Sequence, residues 1–314
     1  MKQILKAETP QVVVTMLTGD VIEKYIRAGK IASKVREEMK RMVKEGMALI
    51  DVCEKAEKLI LDLGGKPAFP CNISINEVAA HYTSPPGDAL TIPEKSIVKI
   101  DIGVHVDGYI ADTATTISFN PDYEILVDAA EAALKHAIDV IRPGLEISRF
   151  GYEIQSLIER RGLKPISNLT GHQVGRYLIH AGKVLPNVSQ ISFSKIKAGE
   201  VYAVEPFVTF REAYGRVRDA KSAYIFRLTK MKPPKRRDEE DLFLFIERRF
   251  RTLPFAERWL RDYGPREEYS PFFRKLLSSR WIMSYPVLVE ASGKPVAQAE
   301  HTVIVYEDGV IRIT

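Results

Sequence analysis

The alternation of apolar and polar residues divides the chain into helical and extended segments. In four stretches the apolar residues recur at the 3.6-residue spacing of an amphipathic helix, and glycine or proline closes each stretch. These predicted helices span about 22–43, 48–63, 123–141 and 147–161. Short apolar blocks between turn residues predict strands at 73–78, 97–106, 109–119, 200–210, 295–306 and 310–314. Because tight turns join the strands, we predict an α/β (α+β) fold with mixed, largely antiparallel sheets.

A set of six residues recurs at a constant offset of 98 positions. The first copy is Gly46, Leu59, Ile60, Gly64, Lys66 and Pro67, and the second is Gly144, Leu157, Ile158, Gly162, Lys164 and Pro165. In both copies two predicted helices lead into strands. The repeat predicts two similar α/β halves related by a pseudo-twofold axis, with a functional site at the seam between them.

The segment 211–280 differs from the rest of the chain in its charge. It carries 19 Lys and Arg against 11 Asp and Glu, a net charge of +8, whereas the whole chain carries +5. It contains a basic, proline-interrupted loop at 230–237 and predicted helices at about 238–250, 255–261 and 271–280. We interpret it as a helical insertion in the second half. Its charge fits the solvated surface of a charge-rich protein, and contact with RNA or a ribosome is the alternative.

The composition narrows the class of protein. Hydrophobic residues make up 45% and charged residues 28% of the 314 positions, which is typical of a globular protein with a sizeable core. Cys53 and Cys71 are the only cysteines, so a disulfide framework is excluded. The apolar run that begins at Val12 is too short for a signal peptide, and no run approaches the ~18 residues of a membrane span. We expect a cytoplasmic protein without a membrane partner.

A predicted hairpin brings two carboxylates together. Asp107-Gly108 favours a two-residue type I′ turn, which pairs positions whose numbers sum to 215. Gly103 then lies opposite Asp112, and Asp101 is a diagonal neighbour of Asp112 on the same polar face, with α-carbons about 7–8 Å apart. Carboxylates that converge on open space repel each other unless a cation lies between them. A solvated hairpin face is the alternative.

Further potential metal ligands stand in unusual surroundings. Glu205 and Glu300 each lie within a mostly apolar run, where an unpaired buried carboxylate is costly, and His172 follows a glycine in a loop. Together with Asp101 and Asp112 they offer four carboxylates and one imidazole, which suits Co²⁺, Mn²⁺, Fe²⁺ or Zn²⁺. Four carboxylates are too much negative charge for one ion, so we predict two divalent metal ions that activate a bridging hydroxide. Taken singly, each glutamate would instead be a strand-edge residue facing water.

Two other histidines are candidates for the seam. His81 and His180 lie 99 positions apart, close to the repeat offset, and we expect them to flank the seam from opposite halves. A structural hydrogen bond is the alternative for each of them. His105 and His136 keep that structural interpretation, and His301, which points away from Glu300 by strand alternation, has no assigned role.

Five motifs carry a resemblance to a known family over nearly the whole chain. They are PAFPCNISINEVAAHYTSP at 67–85, KIDIGVHVDGYIADTATT at 99–116, NLTGHQVGRYLIHAG at 168–182, AVEPF at 203–207 and AQAEHTVIV at 297–305. With these motifs the sequence resembles the type 2 methionine aminopeptidases, and among them the archaeal members. The resemblance implies the pita-bread fold, in which two α/β halves enclose a dinuclear metal site. It also implies a catalytic domain formed by 1–218 and 286–314, and a helical insertion at 219–285.

The resemblance implies a role for each residue of the site. The metal ligands would be Asp101, Asp112, His172, Glu205 and Glu300, with Asp112 and Glu300 contacting both ions. Glu205 would also act as the catalytic acid or base. His81 and His180 would face the substrate, with His180 donating to the scissile carbonyl. The methionine side chain would be bound by Phe69, Ile179 and Tyr285.

The implied activity is removal of the initiator methionine from nascent polypeptides whose second residue is small and uncharged. The enzyme would be a monomer, with transient ribosome contact through the basic insertion. Two alternatives stay open at this point. A proline-directed aminopeptidase or dipeptidase of the same fold shares the five ligands, whereas a non-catalytic relative that binds RNA or ribosomes would have lost some of them.

Overall fold

The helices of the two predicted pairs form where the apolar spacing indicates. The computed structural model describes residues 17–314, so the apolar run that begins at Val12 lies outside the described residues. The described α-helices are α1 (Gly19–Met42), α2 (Leu49–Asp62), α3 (Glu124–Val140), α4 (Ile147–Arg160), α5 (Arg237–Phe250) and α6 (Arg266–Ser278). None of them is long and apolar enough to cross a membrane.

Two helix predictions in the insertion are wrong in detail. The stretch predicted as a helix at 255–261 is a two-residue strand followed by a 3₁₀ turn, Glu257–Asp262. The helix predicted from Pro271 begins earlier, at Arg266. Glu267 and Glu268 occupy its first turn, where negative charge is favourable, and Pro271 is accommodated within the helix.

Sixteen strands are described, and several predicted strands are divided in two. The strands of the first half are β1 (Lys66–Pro67), β2 (Asn72–Ile75), β3 (Val78–Ala80), β4 (Ile97–Val106) and β5 (Tyr109–Ser118). Those that follow α4 are β6 (Leu163–Pro165), β7 (Thr170–Gln173), β8 (Val184–Pro186), β9 (Val201–Val204), β10 (Phe207–Phe210) and β11 (Val217–Leu228). The last are β12 (Phe255–Ala256), β13 (Ile282–Glu290), β14 (Val296–Gln298), β15 (His301–Tyr306) and β16 (Gly309–Arg312).

The sheets are antiparallel, as predicted. In the first half β4 pairs with β1, β2 and β5, and helices α1 and α2 pack over this sheet in one apolar core. In the second half one sheet has the order β16-β15-β9-β7-β8 and a smaller one the order β14-β10-β6, and α3 and α4 cover them in a second core. The predicted class, α/β with two halves, is confirmed.

The structure also bears out the sequence repeat. Gly46 and Gly144 both have a positive φ, 81° and 86°, and each donates its backbone N–H across to a loop carbonyl at 2.8 Å, that of Ile92 and Ile196 respectively. Gly64 and the repeat-related Gly162 end α2 and α4 in the same left-handed conformation. Glycine is needed there because an L side chain rarely adopts such a φ. The two halves therefore share helix ends as well as helices.

The halves meet along β5 and the segment 298–300. Ala114 and Glu300 exchange backbone hydrogen bonds of 3.4 and 3.2 Å, and the Thr116 hydroxyl donates to the Gln298 carbonyl at 2.6 Å. The fully buried Lys99 side chain donates to the Asn76 carbonyl of its own half at 2.9 Å and across the seam to the Val296 carbonyl at 2.8 Å. These bonds fix the relative positions of strands from both halves.

The insertion forms its own layer beside the seam. Strands β11 and β13 pair from Val217↔Glu290 to Leu228↔Ile282, with β12 on one side and β3 of the first half on the other. Helices α5 and α6 cover them in a separate apolar core that includes Phe243. The boundaries 219–285 stay a prediction, since the paired strands continue to Val217 and Glu290.

Candidate metal centre

The hairpin that carries the two aspartates forms as predicted. Asp107 and Gly108 both have a positive φ, 52° and 90°, and Gly103 pairs with Asp112. The hairpin pairing also led us to expect open space beside Gly103, and this expectation is wrong. The ring of Phe69 fills this space, and a Cβ added to Gly103 would lie only 2.2 Å from that ring. The glycine is needed for this close approach of an aromatic side chain to the strand.

Glu205 and Glu300 lie at breaks between strands rather than inside them, which corrects the sequence interpretation. Glu205 follows β9 and precedes Pro206, which has no N–H to give to a ladder, and the chain continues in another sheet as β10. Glu300 lies between β14 and β15, which belong to these same two sheets. Both glutamates therefore stand where the chain changes sheets, and their side chains are free to point into the seam.

Three buried ligand atoms come close together at this point. One atom each of Asp112, His172 and Glu300 lies within 4.8 Å of the other two. The His172 Nε2 atom is 3.7 Å from Asp112 Oδ2 and 3.4 Å from Glu205 Oε1. Asp101, on β4, adjoins the same cluster and lines the same cavity. The structure thus brings all five predicted ligands together.

The electrostatics of the cluster call for a cation. Burial, together with the negative charge of neighbouring carboxylates, raises the pKa of Asp112, Glu205 and Glu300 well above the usual range. Burial also raises the pKa of Asp101. Desolvation and the two neighbouring histidines lower the pKa of His172 to about 3, so its imidazole is neutral, the form that binds metals.

Unsatisfied polar atoms support the same conclusion. Within the described residues, Asp101 Oδ1 and Asp112 Oδ1 are buried without a hydrogen-bond partner. Buried polar atoms are normally paired, and an orphaned carboxylate oxygen among other carboxylates suits an ion as its partner. The residues present therefore fit divalent metal ions.

A cavity of about 200 Å³ opens onto the ligands. His81 and His180 line it, and the rings of His180 and His172 lie 4.4 Å apart. His81 has a φ of 65°, and its Nδ1 lies 3.3 Å from the Pro286 carbonyl oxygen. A carbonyl can only accept, so Nδ1 carries the proton and Nε2 is left as an acceptor.

The three residues expected to bind a methionine side chain also line this cavity. Phe69, Ile179 and Tyr285 lie on its walls, with Tyr285 packed edge-on against His81 at 5.7 Å between ring centroids. The sequence reasoning missed further lining residues, namely Asn72, Ala80, Asn168, Leu169, Thr170, Phe207, Ile225 and Pro254. Pro254 comes from the insertion, and no local pattern indicates that it reaches the site.

One polar residue beside the ligands was also missed. The buried Gln298 amide nitrogen donates to Glu300 Oε2 at 3.3 Å and orients that carboxylate. Its position two residues before Glu300 could have indicated that it shares the same face.

The remaining histidines serve structural hydrogen bonds. His105 is buried, and its Nδ1 accepts from the Gly108 backbone at 3.0 Å. His136 lies 3.3 Å from Glu153, and His301 contacts Arg36 and Thr314 on the side away from the metal ligands. The structural interpretation of His105 and His136 fits these contacts.

Buried carboxylates at the seam of two α/β halves define a protein with a candidate metal centre. Residues 23–230 match the model of metallopeptidase family M24, and the chain belongs to this family. It is 43% identical to a methionine aminopeptidase of Methanothermobacter thermautotrophicus over 297 residues, which are 94% of this chain and 99% of that protein.

Two solved structures share the fold. The structure of a thermophilic Arx1 matches with a TM-score of 0.82 and 19% identity, over 95% of this chain and 91% of that one. The methionine aminopeptidase of Thermotoga maritima matches with a TM-score of 0.69 and 22% identity, over 96% of this chain and 99% of that one. The resemblance inferred from the motifs, and with it the pita-bread fold, is confirmed, and the chain is a metallopeptidase that uses divalent metal.

Proposed function

We propose that the chain is a methionine aminopeptidase that removes the initiator methionine from nascent polypeptides. The observation that carries this function is the identity of about 43% to methionine aminopeptidases over nearly their whole length. The proline-directed alternative has no comparable support, because the relatives that share about 43% of their residues with this chain are methionine aminopeptidases. A non-catalytic function is disfavoured, because all five ligand residues are present.

We assign the metal ligands to Asp101, Asp112, His172, Glu205 and Glu300, and two divalent ions to the site. Two ions would balance the charge of four carboxylates, and Asp112 and Glu300, which share the tight cluster with His172, would help to hold them. Bound there, Co²⁺, Mn²⁺, Fe²⁺ or Zn²⁺ supplies Lewis acidity and makes water a nucleophile near neutral pH.

Glu205 is suited to move a proton during hydrolysis. Its Oε1 atom lies 3.4 Å from His172 Nε2 in the lining of the cavity, where a carboxyl group can both accept and return a proton. It lies at the cavity wall, where the proton of the attacking water must leave and the amine of the departing chain must gain one.

The two histidines bind the substrate in their neutral forms. Burial lowers the pKa of His81 to about 4 and also lowers that of His180. His81 therefore presents Nε2 as an acceptor for a substrate N–H group. His180 lines the cavity, where an N–H group can donate to the scissile carbonyl as negative charge develops on its oxygen.

Phe69, Ile179 and Tyr285 form the slot for the methionine side chain. A flexible, unbranched thioether fits an aromatic and aliphatic slot of this kind better than a branched side chain does. We expect the space beyond the scissile bond to admit only small, uncharged second residues.

Substrate selection tests this assignment directly. With metal added, the enzyme should hydrolyse Met-Ala-Ser faster than Leu-Ala-Ser or Met-Leu-Ser, and a chelator should abolish all turnover. Elemental analysis of the active protein should give two ions per chain. Equal turnover of the three peptides would refute the slot, and hydrolysis of Xaa-Pro peptides instead would refute methionine removal.

We further propose that the enzyme works in the cytoplasm as a monomer and meets its substrate near the ribosome. The loop 230–237 is mostly exposed and carries five Lys and Arg residues, which suits transient contact with ribosomal RNA phosphates. Co-sedimentation with ribosomes at low salt should disappear at high salt. It should also disappear when Lys232, Lys235, Arg236 and Arg237 are replaced by serine, and persistence in that variant would refute the contact.

A further inference from the structure

The turn 175–178 between β7 and β8 leads directly to two residues of the cavity. Gly175 and Leu178 exchange backbone hydrogen bonds of 2.8 and 3.1 Å, so this is a tight turn, and Ile179 and His180 follow it. Tyr177 lies within the turn with a φ of 57°, which is rare for a residue with a side chain. Something outside the turn must hold Tyr177 in this conformation.

The hairpin tip of the first half contacts Tyr177 from one side. The Tyr177 backbone N–H donates to the Gly108 carbonyl at 2.8 Å, and the neighbouring Arg176 side chain donates to the Asp107 carbonyl at 3.0 Å. A Cβ on Gly108 would come within 2.3 Å of the Tyr177 ring, so the ring rests directly on the glycine. The His105 ring packs edge-on at 5.5 Å.

The insertion contacts Tyr177 from the other side. The Arg251 guanidinium lies over the tyrosine ring, 4.6 Å from its centroid, and the Thr252 hydroxyl donates to the Tyr177 carbonyl. Arg251 itself has a φ of 54° at the end of α5. Leu253, which follows Thr252, packs in one apolar cluster with Phe69. The hairpin tip and the insertion therefore converge on this one residue, Tyr177.

We propose that Tyr177 is a positioning residue, held between the hairpin tip and the insertion, that sets the direction of His180 into the cavity. It does not touch the substrate. Because His180 is only three residues further along a segment without regular secondary structure, the anchored ring limits how far the imidazole can move. Displacement of a reacting group by about 1 Å can lower a rate about 100-fold. The inference rests on the proposed role of His180.

The test is a double-mutant cycle measured on Met-Ala-Ser with metal-saturated full-length protein. Tyr177→Ala should lower kcat about 10- to 100-fold and change KM by less than about threefold. Tyr177→Phe, which keeps the ring, should restore most of the rate. In a His180→Ala background, Tyr177→Ala should cost less than about twofold more, because the residue it positions is already absent. Tyr214→Ala, the same change at an exposed tyrosine, should have no effect.

The outcomes separate the inference from the proposed function. If the two losses multiply, Tyr177 acts independently of His180 and the inference is wrong, while the function of His180 stands. If His180→Ala leaves kcat unchanged, the role proposed for His180 fails and the inference fails with it.

Thr252→Val is a second test of the inference, for the case in which Tyr177→Ala folds poorly. It removes only the hydroxyl that holds the Tyr177 carbonyl, and it should lower kcat by a smaller factor that likewise vanishes in the His180→Ala background. An unchanged kcat for Thr252→Val would also overturn the inference. Metal content and the melting temperature of each variant exclude loss of the site or of the fold as the cause.

Discussion

The buried carboxylate of Glu57 and the buried carboxylates of the candidate metal centre have opposite surroundings. Glu57 on α2 forms an ion pair with the buried Arg258 of the insertion and accepts from Trp259 Nε1 at 2.7 Å and from the Cys71 backbone at 3.1 Å. Arg258 also donates to the Thr83 hydroxyl and to the Ser84 carbonyl, each at 2.9 Å. Glu57 is therefore buried and fully paired.

At the metal centre, the only salt-bridge partner of Asp112 and Glu205 within residues 17–314 is His172. The pKa of His172 is so low that its imidazole is uncharged and cannot pair with Asp112 or Glu205 as a cation. Carboxylates buried with a permanent cation hold a structure together, whereas carboxylates buried against one another leave a place for an ion from solution. Burial alone does not distinguish the two groups, since it raises the pKa in both.

The largest expected effect that separates the two groups is on activity. Asp112→Asn should lower kcat/KM for Met-Ala-Ser by roughly 10³-fold, because losing a metal ligand removes several kcal/mol of transition-state stabilisation. The same variant should be more stable than the wild type when both are stripped of metal, because a buried repulsive charge is gone. Thermal unfolding in a chelator measures this, and a lower melting temperature for Asp112→Asn would contradict the comparison.

Arg258→Met should have the opposite effect, because it should lower stability and leave metal binding unchanged. Leaving Glu57 buried without its cation should lower the free energy of unfolding by about 3–5 kcal/mol, measured in urea. Metal content per folded chain should be unchanged. The double variant Glu57→Leu/Arg258→Met is the control and should recover much of the loss, since no unpaired charge remains. Equal instability of the single and double variants would show that the ion pair is not what matters.

Gln298→Leu sharpens the comparison by removing a neutral donor from the metal centre. The amide that orients Glu300 would be lost while the ligands stay, so metal affinity should fall about 10- to 100-fold. Metal titration followed by calorimetry would measure it, with Gln155→Leu as the matched control, because Gln155 on α4 is half-buried and likewise donates to a glutamate, Glu159, at 2.8 Å. An affinity within about twofold of the wild type would mean that Gln298 does not orient the ligand.

The last prediction concerns the pH dependence of the metal-free protein. The raised pKa values mean that the folded state holds more protons than the unfolded state once the pH exceeds the ordinary carboxyl value near 4. Stability should therefore fall as the pH rises from about 4 towards 7, by roughly 1.4 kcal/mol per pH unit for each extra proton held. Added Mn²⁺ should reverse this slope, because the ion and the protons compete. Unfolding in chelator at several pH values checks it, and a slope that is the same in Asp112→Asn would assign it to other groups.

The sequence indicates these features unequally, for physical reasons. The hairpin register was predictable because Asp107-Gly108 fixes it locally, and Asp101 and Asp112 follow from that register. The ends of α2 at Gly64 and of α4 at Gly162 were predictable for the same local reason.

Contacts between distant segments were not predictable in this way. Glu57 and Arg258 are 201 positions apart, and no local pattern pairs them. Phe69 fills the space beside Gly103 because of tertiary packing, and only the motif resemblance suggested a place for it in the site. The breaks at Glu205 and Glu300 were hidden because apolar residues continue across a change of sheet as they do within a single strand.

The seam between the halves has a consequence for when the enzyme can begin to work. Asp101 and Asp112 are made early, His172 and Glu205 follow, and Glu300 completes the set only after the whole insertion has been synthesised. If these five residues are the ligands, as proposed, a chain emerging from the ribosome stays inert until its final sheets close over the first hairpin, and no partly made copy can trim its neighbours.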